Sequence, residues 1–296
     1  MSIVITTPTG HIGSALVRHL LDAGRTDLVL LVRDASRLAD EVRARVATRE
    51  GLLQDADFVR TATEGADALF WLSPPDPSSP SLFGWYEALG ASASGAVRAN
   101  GIGHVVDLSS EGAQDRDAYG PVSGLGRVEA ALEATEAAVR HLRPTFFFEN
   151  FGAQAAAIRD AGAVFFPVPT TRQTGMIATA DIARRAADLL LDLGWSGTEV
   201  VGLHGPRDLS YDEAAAALAD ALGRDVRAQE VPPEALAGQL AASGASPDWV
   251  DGFVRLYTSI GAPGYRAEPR TAETTTPTEL ADWARTSLRP ALEAAA

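Results

Sequence analysis

The chain contains neither cysteine nor lysine. Without cysteine it has no disulfide, no thiolate nucleophile and no zinc site built on sulfur. Without lysine it has no Schiff base and no proton relay in which a lysine assists a tyrosine. All 25 basic residues are therefore arginines.

Histidine and positive charge are also scarce. The five histidines, at positions 11, 19, 104, 141 and 204, lack the spacing of a metal site, and we expect no metal. The 39 acidic residues outnumber the basic ones, which gives a net charge of −14 and a pI of about 4.8. We therefore expect neither nucleic acid nor an anionic membrane as a partner.

Long apolar runs are missing as well. None approaches the roughly 18 residues of a membrane helix, and no basic segment of a signal peptide precedes the first apolar run. We expect a cytoplasmic protein whose 296 residues, 46% of them hydrophobic, form one large domain or two small ones. The abundance of alanine and arginine favours a bacterial source with a GC-rich genome.

Apolar strands and amphipathic helices alternate over the first 150 residues. The continuous apolar runs at residues 3–5 and 28–32 predict strands that are buried on both faces, as in a parallel sheet. Further strands are predicted at 67–72, 102–108 and 140–148, with a weak one near Val46, and helices at 12–23, 82–99 and 125–138. This order predicts an α/β fold with a Rossmann-type, doubly wound parallel sheet.

The pattern beyond Asn150 is mostly helical. Helices are predicted at 151–159, 181–193, 210–222, 233–243, 247–259 and 278–288, with a capping box formed by Ser210 and Glu213. We expect a dinucleotide-binding domain of residues 1–153 and 174–205. Residues 154–173 and 206–296 then form a smaller, mostly helical substrate-binding subdomain.

A glycine-rich loop joins the first strand to the first helix, where a Rossmann fold places the pyrophosphate of its cofactor. Gly10 permits close approach of the backbone, Gly13 lets the helix pack on the sheet, and the helix N-terminus offers free N–H groups. We expect cofactor contacts from Thr7, Thr9, Gly10, His11, Ile12 and Gly13. The alternative is an ordinary turn in which the His11 ring is only exposed to solvent.

Arginines follow the second strand. Arg33 lies 20 residues after Gly13, where an acidic residue binds the ribose of NAD and an arginine favours the 2′-phosphate of NADP. Together with Arg37 it favours NADP(H) over NAD(H). Exposed arginines without a ligand are the alternative.

Four segments resemble the NmrA-like branch of the atypical short-chain dehydrogenases/reductases: TTPTGHIG at 6–13, LVRDASR at 31–37, ADALFWLSPP at 66–75 and LRPTFFFEN at 142–150. The resemblance extends to residues 205–213. It implies a Rossmann domain that binds NADP(H) or NAD(H), with a C-terminal substrate lobe. It also places Phe147 and Asn150 beside the nicotinamide, and we expect further cofactor contacts from Ser73 and Pro74.

Two departures from that family concern the site. Thr7 and Pro8 replace a glycine and an alanine of the usual loop, which removes one N–H donor and puts a side chain where φ is positive in the family. In the usual catalytic group a lysine follows the tyrosine by four residues, whereas Tyr119 is followed at that spacing by Ser123. An alignment on Glu129 also supplies no basic residue, so the Tyr-Lys relay is absent.

Polar residues at strand ends complete the candidate site. Ser109 and Ser110 end a predicted strand, at the edge where α/β folds bind ligands. We take Tyr119, Ser109, Ser110 and Asn150 as catalytic candidates, with Ser109 also near the cofactor. Capping serines and a loop tyrosine outside the pocket are the alternatives. Arg127 and Glu129 are predicted to form an exposed ion pair.

We therefore expect an NADP(H)-dependent reductase of a small planar or cyclic substrate with a C=O, C=N or C=C bond. Two alternatives stay open, namely an NADP-sensing regulatory protein and a non-redox cyclase or isomerase on the same fold. A homodimer is compatible with either class.

Overall fold

A parallel sheet of seven strands organises the chain in the computed structural model, which describes residues 1–261 and 268–294. Within these residues the strands are Ile3–Thr6 (β1), Leu28–Val32 (β2), Ala47–Glu50 (β3), Ala68–Leu72 (β4), His104–Leu108 (β5), Ala138–Pro144 (β6), Phe146–Phe147 (β7), Ala163–Phe166 (β8), Gln173–Ile177 (β9), Thr198–Leu203 (β10), Asp208–Ser210 (β11) and Arg227–Glu230 (β12).

The α-helices of the described chain are His11–Asp22 (α1), Asp40–Arg43 (α2), Ala56–Ala62 (α3), Leu82–Asn100 (α4), Pro121–Glu133 (α5), Glu149–Gly152 (α6), Ala155–Ala161 (α7), Thr179–Leu191 (α8), Tyr211–Leu222 (α9), Pro233–Ala242 (α10), Pro247–Gly261 (α11), Leu280–Trp283 (α12) and Arg289–Ala294 (α13). A 3₁₀ turn at Ala35–Arg37 and a π turn at Ala284–Leu288 complete them. Among these residues, no helix has both the length and the apolar character to cross a bilayer.

The large sheet has the strand order β3-β2-β1-β4-β5-β6-β10, with every neighbouring pair parallel. The central strands β1, β2 and β4 are apolar on both faces because helices cover both sides, whereas the edge strand β3 is polar and largely exposed. One core cluster joins the sheet to α1 and α8, and another joins it to α3, α4 and α5. The predicted Rossmann-type sheet is confirmed. Strand order reverses between β1 and β4, so the ligand crevice lies at the carboxyl ends of the strands there.

A third core cluster belongs to the C-terminal part of the chain. It joins Phe148 and Phe151 to side chains of α7, α9, α12 and the π turn. Two small sheets, β11-β9-β7 and β12-β8, border it. The predicted division into a dinucleotide-binding domain and a substrate lobe stays a prediction, and the cluster also includes Phe148, Phe151 and Met176 from the segments assigned to the first of them.

Helix α11 connects the two parts. Near its start, Trp249 is fully buried against Tyr86 in the core beside the sheet, at a ring distance of 5.8 Å. Oδ2 of Asp248 accepts a hydrogen bond from the backbone N–H of Leu82 at 2.7 Å and so caps α4. Further along, Tyr257 packs on the third core cluster, whereas Leu256 packs with Ala113 and Val122 beside α5.

Several element boundaries differ from the predictions. Helix α5 begins at Pro121, four residues before the predicted start, because the fixed φ of proline suits the first turn of a helix. The predicted strand 140–148 is divided at Pro144, after which β7 leaves the large sheet and pairs with β9. The predicted helices 151–159 and 278–288 are each divided into shorter segments.

The predicted exposed pair of Arg127 and Glu129 is wrong. Glu129 is fully buried, and its two oxygens accept hydrogen bonds from Arg143 at 2.9 and 2.6 Å. Arg127 instead pairs with Asp117 at 3.0 Å and with Glu87. Burial alone would lower the pKa of Arg143. The hydrogen bonds to Glu129 outweigh this effect and hold the pKa above its ordinary value.

A second buried pair lies beside the first. His141 Nδ1 is 2.8 Å from Asp107 Oδ2, and the ligand atoms of Asp107, Glu129 and His141 lie within 4.8 Å of one another. Burial raises the pKa of Asp107. Desolvation would lower the pKa of His141, but the hydrogen bond to Asp107 and the charge of Asp107 keep it above its ordinary value. Because Arg143 and His141 already bind both carboxylates, the group forms an ion-pair network within the core.

Candidate functional site

The loop between β1 and α1 keeps a conformation that glycine favours. Thr7 has a φ of 50°, and it is the one non-glycine residue with positive φ in the described chain. This conformation costs a side-chain-bearing residue about 1–2 kcal/mol. The family's glycine is therefore replaced here without loss of the loop shape.

The two glycines of the loop serve different needs. A Cβ at Gly13 would lie 2.2 Å from the carbonyl oxygen of Thr7 and 2.9 Å from Cα of Pro8, so the close packing of α1 on the loop requires glycine. A Cβ at Gly10 would have only the Thr7 oxygen nearby, at 3.7 Å, and φ there is −83°. No atom of the described chain requires glycine at position 10, and the space beside it is open to a ligand.

The N-terminus of α1 has the features of a phosphate site. No side chain caps it, and no acidic residue stands in its first turn. Thr9, Gly10 and His11 are exposed, whereas the Ile12 side chain is buried in the core, so that only its backbone faces the loop. Free N–H groups and the positive end of the helix dipole fit a pyrophosphate.

Buried hydroxyls along the strand ends also fit a dinucleotide. Thr7 Oγ1 and Ser109 Oγ are buried and have no hydrogen-bond partner in the described chain. Ser109 is held by its backbone N–H, which donates to the Leu142 carbonyl at 2.8 Å. A buried hydroxyl without a partner is costly, and a ligand in the crevice would be one way to satisfy both.

Arg33 and Arg37 lie beyond the end of β2, and both are exposed. Arg37 borders a cleft of about 580 Å³ that also contacts Pro8 and Thr9 of the loop. Asp34 between them is turned inward to its own segment, where it accepts a hydrogen bond from Ser36 N at 2.9 Å. A second hydrogen bond, from the Ser36 hydroxyl at 2.7 Å, is the main cause that lowers the pKa of Asp34, followed by the backbone bond. Arg37 is thus brought beside the loop, whereas Arg33 does not line this cleft.

Ser73 and Pro74 follow β4 and are partly engaged within the protein. Ser73 Oγ accepts a hydrogen bond from Trp71 Nε1 at 2.9 Å, and the Pro74 carbonyl accepts one from Trp85 Nε1 at 2.8 Å. The Ser73 hydroxyl proton is still available as a donor. These two predicted cofactor contacts stay predictions.

A cavity of about 450 Å³ opens at the carboxyl ends of β5 and β6. It brings together three of the predicted residues, Ser110, Phe147 and Asn150, although Asn150 itself is largely exposed. The lobe supplies an aromatic wall that includes Tyr211 and Tyr257. A pocket of this size with flat aromatic walls fits a small planar ligand.

Three residues that line this cavity each have a buried polar atom without a partner in the described chain. These atoms are Thr145 Oγ1, His204 Nε2 and Arg172 Nε. Thr145 and His204 are each only 3% exposed. Burial, followed by the charge of Arg270, lowers the pKa of His204, so the imidazole is neutral at pH 7. The cavity therefore offers donors and an acceptor to a polar group of a ligand.

Most charges around the cavity are already paired. Arg270 binds Asp208, and Arg143 binds Glu268 at 2.6 Å. Arg172 lies close enough to Glu111 for its positive charge to oppose the rise that burial causes in the pKa of that carboxyl.

Glu111 is a wall residue that sequence reasoning missed. It follows Ser110 directly, is half-buried, and its backbone N–H donates to the Pro144 carbonyl at 3.1 Å. Burial raises the pKa of its carboxyl to about 8, with Asp208 raising it further and Arg172 lowering it. The only sequence signal was its position as the third residue after a predicted strand.

Tyr119 does not line this cavity. Its ring packs beside Ala113, Val122 and Leu256, and its backbone N–H donates to Ser123 Oγ at 2.8 Å. Ser123 thus serves the turn that precedes α5. The structure therefore does not bring Tyr119 together with Ser110 and Asn150.

Residues 8–193 match the model of the NAD(P)H-binding family. The chain belongs to this family. The match runs from Pro8 in the loop to just beyond the end of α8, and so includes most of the loop and the ends of β4 to β6. It confirms the predicted nicotinamide dinucleotide cofactor.

One full-length relative is an NAD(P)H azoreductase from Xenophilus azovorans, which is 29% identical over 90% of this chain and 89% of its own. This relationship confirms the predicted class of NAD(P)H-dependent oxidoreductase. Preference for NADPH over NADH is a finer point that it does not decide.

Solved structures show the same fold. The triphenylmethane reductase of a Citrobacter species, in complex with NADP(H), has a TM-score of 0.76 at 19% identity, with all of both chains covered. The negative transcriptional regulator NmrA, in complex with NAD, has a TM-score of 0.68 at 18% identity and covers 99% of this chain and 97% of its own. The NmrA-like resemblance is thus confirmed at the level of fold, which a reductase and a regulator share.

Proposed function

We propose that this protein is an NADPH-dependent reductase of small planar substrates that carry a C=O, C=N, C=C or N=N bond. The aromatic cavity at the carboxyl ends of β5 and β6, whose lining includes three residues with unpartnered polar atoms, carries this proposal. The similarity of the chain to an azoreductase, over nearly its whole length, adds the N=N bond to the substrate class.

The loop residues 7–13 and Ser109 would hold the dinucleotide, with Arg33 and Arg37 near its ribose phosphate. When bound, the reduced nicotinamide supplies a hydride, which is a proton with two electrons. Phe147 and Asn150 stand between the end of β6 and the cavity, so they are placed to orient the two reactants. Thr145 and His204 would bind the polar end of the substrate.

A direct test combines binding and turnover. The purified protein is titrated with NADPH and with NADH while its fluorescence is followed. NADPH oxidation is then measured with a quinone, an imine, an enone and an azo dye. We expect NADPH to bind more tightly than NADH, and at least one acceptor to be reduced.

Two other outcomes would favour a different function. NADPH binding without turnover of any acceptor would favour a sensor of NADP redox state. Absence of binding would favour a non-redox enzyme. The glycine-like φ of Thr7 argues against the second outcome, because the loop keeps the shape that phosphate binding requires.

A further inference from the structure

We propose that Glu111 is the proton donor of the reduction, acting on the substrate atom that does not receive the hydride. This inference rests on the proposed reductase function. Reduction of an N=N or C=O bond needs a proton as well as a hydride. The usual tyrosine–lysine pair cannot supply it here, because the chain has no lysine and Tyr119 does not line the cavity. Glu111 lies in that wall, next to Ser110.

The backbone holds Glu111 at the crevice. It is the third residue after β5, and its N–H bonds to Pro144 at the end of β6. The Ser110 hydroxyl donates to the Glu111 carbonyl at 3.2 Å. Both strand ends therefore fix the main chain from which the carboxyl enters the cavity.

The charged neighbours of Glu111 come from the opposite wall. Arg172 precedes β9, Asp208 begins β11, and Tyr211 begins α9. Arg172 favours the carboxylate of Glu111, whereas Asp208 and burial favour the carboxylic acid. His204, Glu268 and Arg270 face the same cavity, and each of the latter two is bound in an ion pair.

The balance of opposing effects leaves Glu111 protonated at neutral pH, since burial raises its pKa to about 8. A general acid works best when its pKa lies near the working pH. Tyr211 and Tyr257 face the same cavity, but burial raises their pKa values above that of an ordinary phenol. They are therefore weaker acids than Glu111.

The reaction balances with one hydride and one proton. For an azo substrate, one nitrogen of the N=N bond accepts the hydride and its two electrons, and the π bond breaks. The other nitrogen takes the proton from the Glu111 carboxyl, which gives HN–NH. For a quinone or ketone, the oxygen takes that proton. Glu111 is left as a carboxylate and regains a proton from water.

The first test compares wild type with Glu111→Gln on an azo dye or quinone as a function of pH. General acids contribute about a hundredfold to ten-thousandfold, and we expect kcat at pH 7 to fall at least a hundredfold in the variant. The wild-type kcat/KM should decline above about pH 8, and the variant should lack this decline. Glu136→Gln makes the same chemical change at an exposed position and is the control.

A cationic triarylmethane dye separates proton donation from every other role. Its central carbon is a cation that accepts a hydride and needs no proton. Glu111→Gln should reduce this dye within about threefold of the wild-type rate while it loses azo or quinone reduction. An equal loss with both kinds of acceptor would show that Glu111 is structural and would overturn the proposal.

A third readout needs neither cofactor nor substrate. A carboxyl whose pKa is raised by folding loses stabilisation as pH rises from its unfolded pKa, about 4.3, to its folded pKa. The Tm of Glu111→Gln should therefore rise relative to wild type between pH 5 and pH 8 and stay level above that. A difference that does not change with pH would mean that Glu111 is ionised at pH 7, and the proposal would fail.

The failures are distinguishable. If wild type oxidises NADPH with none of the acceptors, the reductase function itself is removed, and the proton donor with it. If wild type is active and Glu111→Gln reduces the azo dye or quinone equally well at pH 7, only the proton donor is removed.

Discussion

The two glycines of the β1–α1 loop allow cofactor binding to be separated from folding. Alanine at Gly10 meets no atom closer than 3.7 Å, and φ and ψ there suit any residue. We expect Gly10→Ala to change the unfolding free energy by no more than about 0.5 kcal/mol, the scale of a helix-cap change. Its methyl group would, however, stand where the pyrophosphate approaches the backbone.

Alanine at Gly13 should do the opposite. Its Cβ would lie 2.2 Å from the Thr7 oxygen, so the loop or α1 must move. Such overpacking costs about 1–3 kcal/mol, which corresponds to a Tm decrease of about 2–10 °C for a domain of this size. Both variants should lose NADPH affinity, but only Gly13→Ala should lose stability.

The assay is thermal unfolding of the protein without ligand, together with fluorescence titration by NADPH. For Gly10→Ala we expect a Kd at least tenfold higher, or about 1.4 kcal/mol, with Tm unchanged within about 1 °C. Wild-type affinity in a Gly10→Ala variant of normal stability would refute the placement of the phosphate at this loop. Unchanged Tm in Gly13→Ala would refute the packing argument.

Three further predictions concern the loop, the arginines and the buried ion pair. Thr7→Gly removes the strained φ and a buried hydroxyl without a partner. We expect denaturant titration to show a gain of about 1 kcal/mol in the free energy of unfolding. A less stable variant would contradict the argument that Thr7 is strained. Converting Arg33 and Arg37 to alanine should raise the Kd of NADPH at least tenfold and leave that of NADH unchanged, and equal losses would remove the assignment to NADP. Glu129→Ala leaves Arg143 buried without its main partner and should cost about 3–5 kcal/mol, whereas a cost below about 1 kcal/mol would show that Arg143 is satisfied elsewhere.

Local sequence signals predicted the elements that carry their own pattern. Strands β1, β2 and β4 of the large sheet are nearly continuous apolar runs, and the Ser210–Glu213 capping box forms as predicted. The boundary at α5 was missed because no apolar period marks its first turn, and only Pro121 signals it. The small sheets were missed because pairs such as β8 with β12 join segments far apart in sequence.

The candidate site shows the same limit. The glycine loop could be predicted because strand, loop and helix are contiguous. Glu111 could not, because its burial and raised pKa depend on Arg172, Asp208 and the lobe that covers it. Glu129 was misjudged for a similar reason, since the partner that binds it, Arg143, comes from a different element.

The two ends of helix α11 have different roles. Its first turn is tied to the sheet through Trp249 and Asp248, while Leu256, Tyr257 and Ile260 of its last turns border the cavity. A substitution in those last turns reshapes the cavity wall and leaves the anchor in place. Laboratory evolution toward a new substrate would therefore find tolerant positions at this end of α11, two to three helical turns away from the residues that hold the helix to the fold.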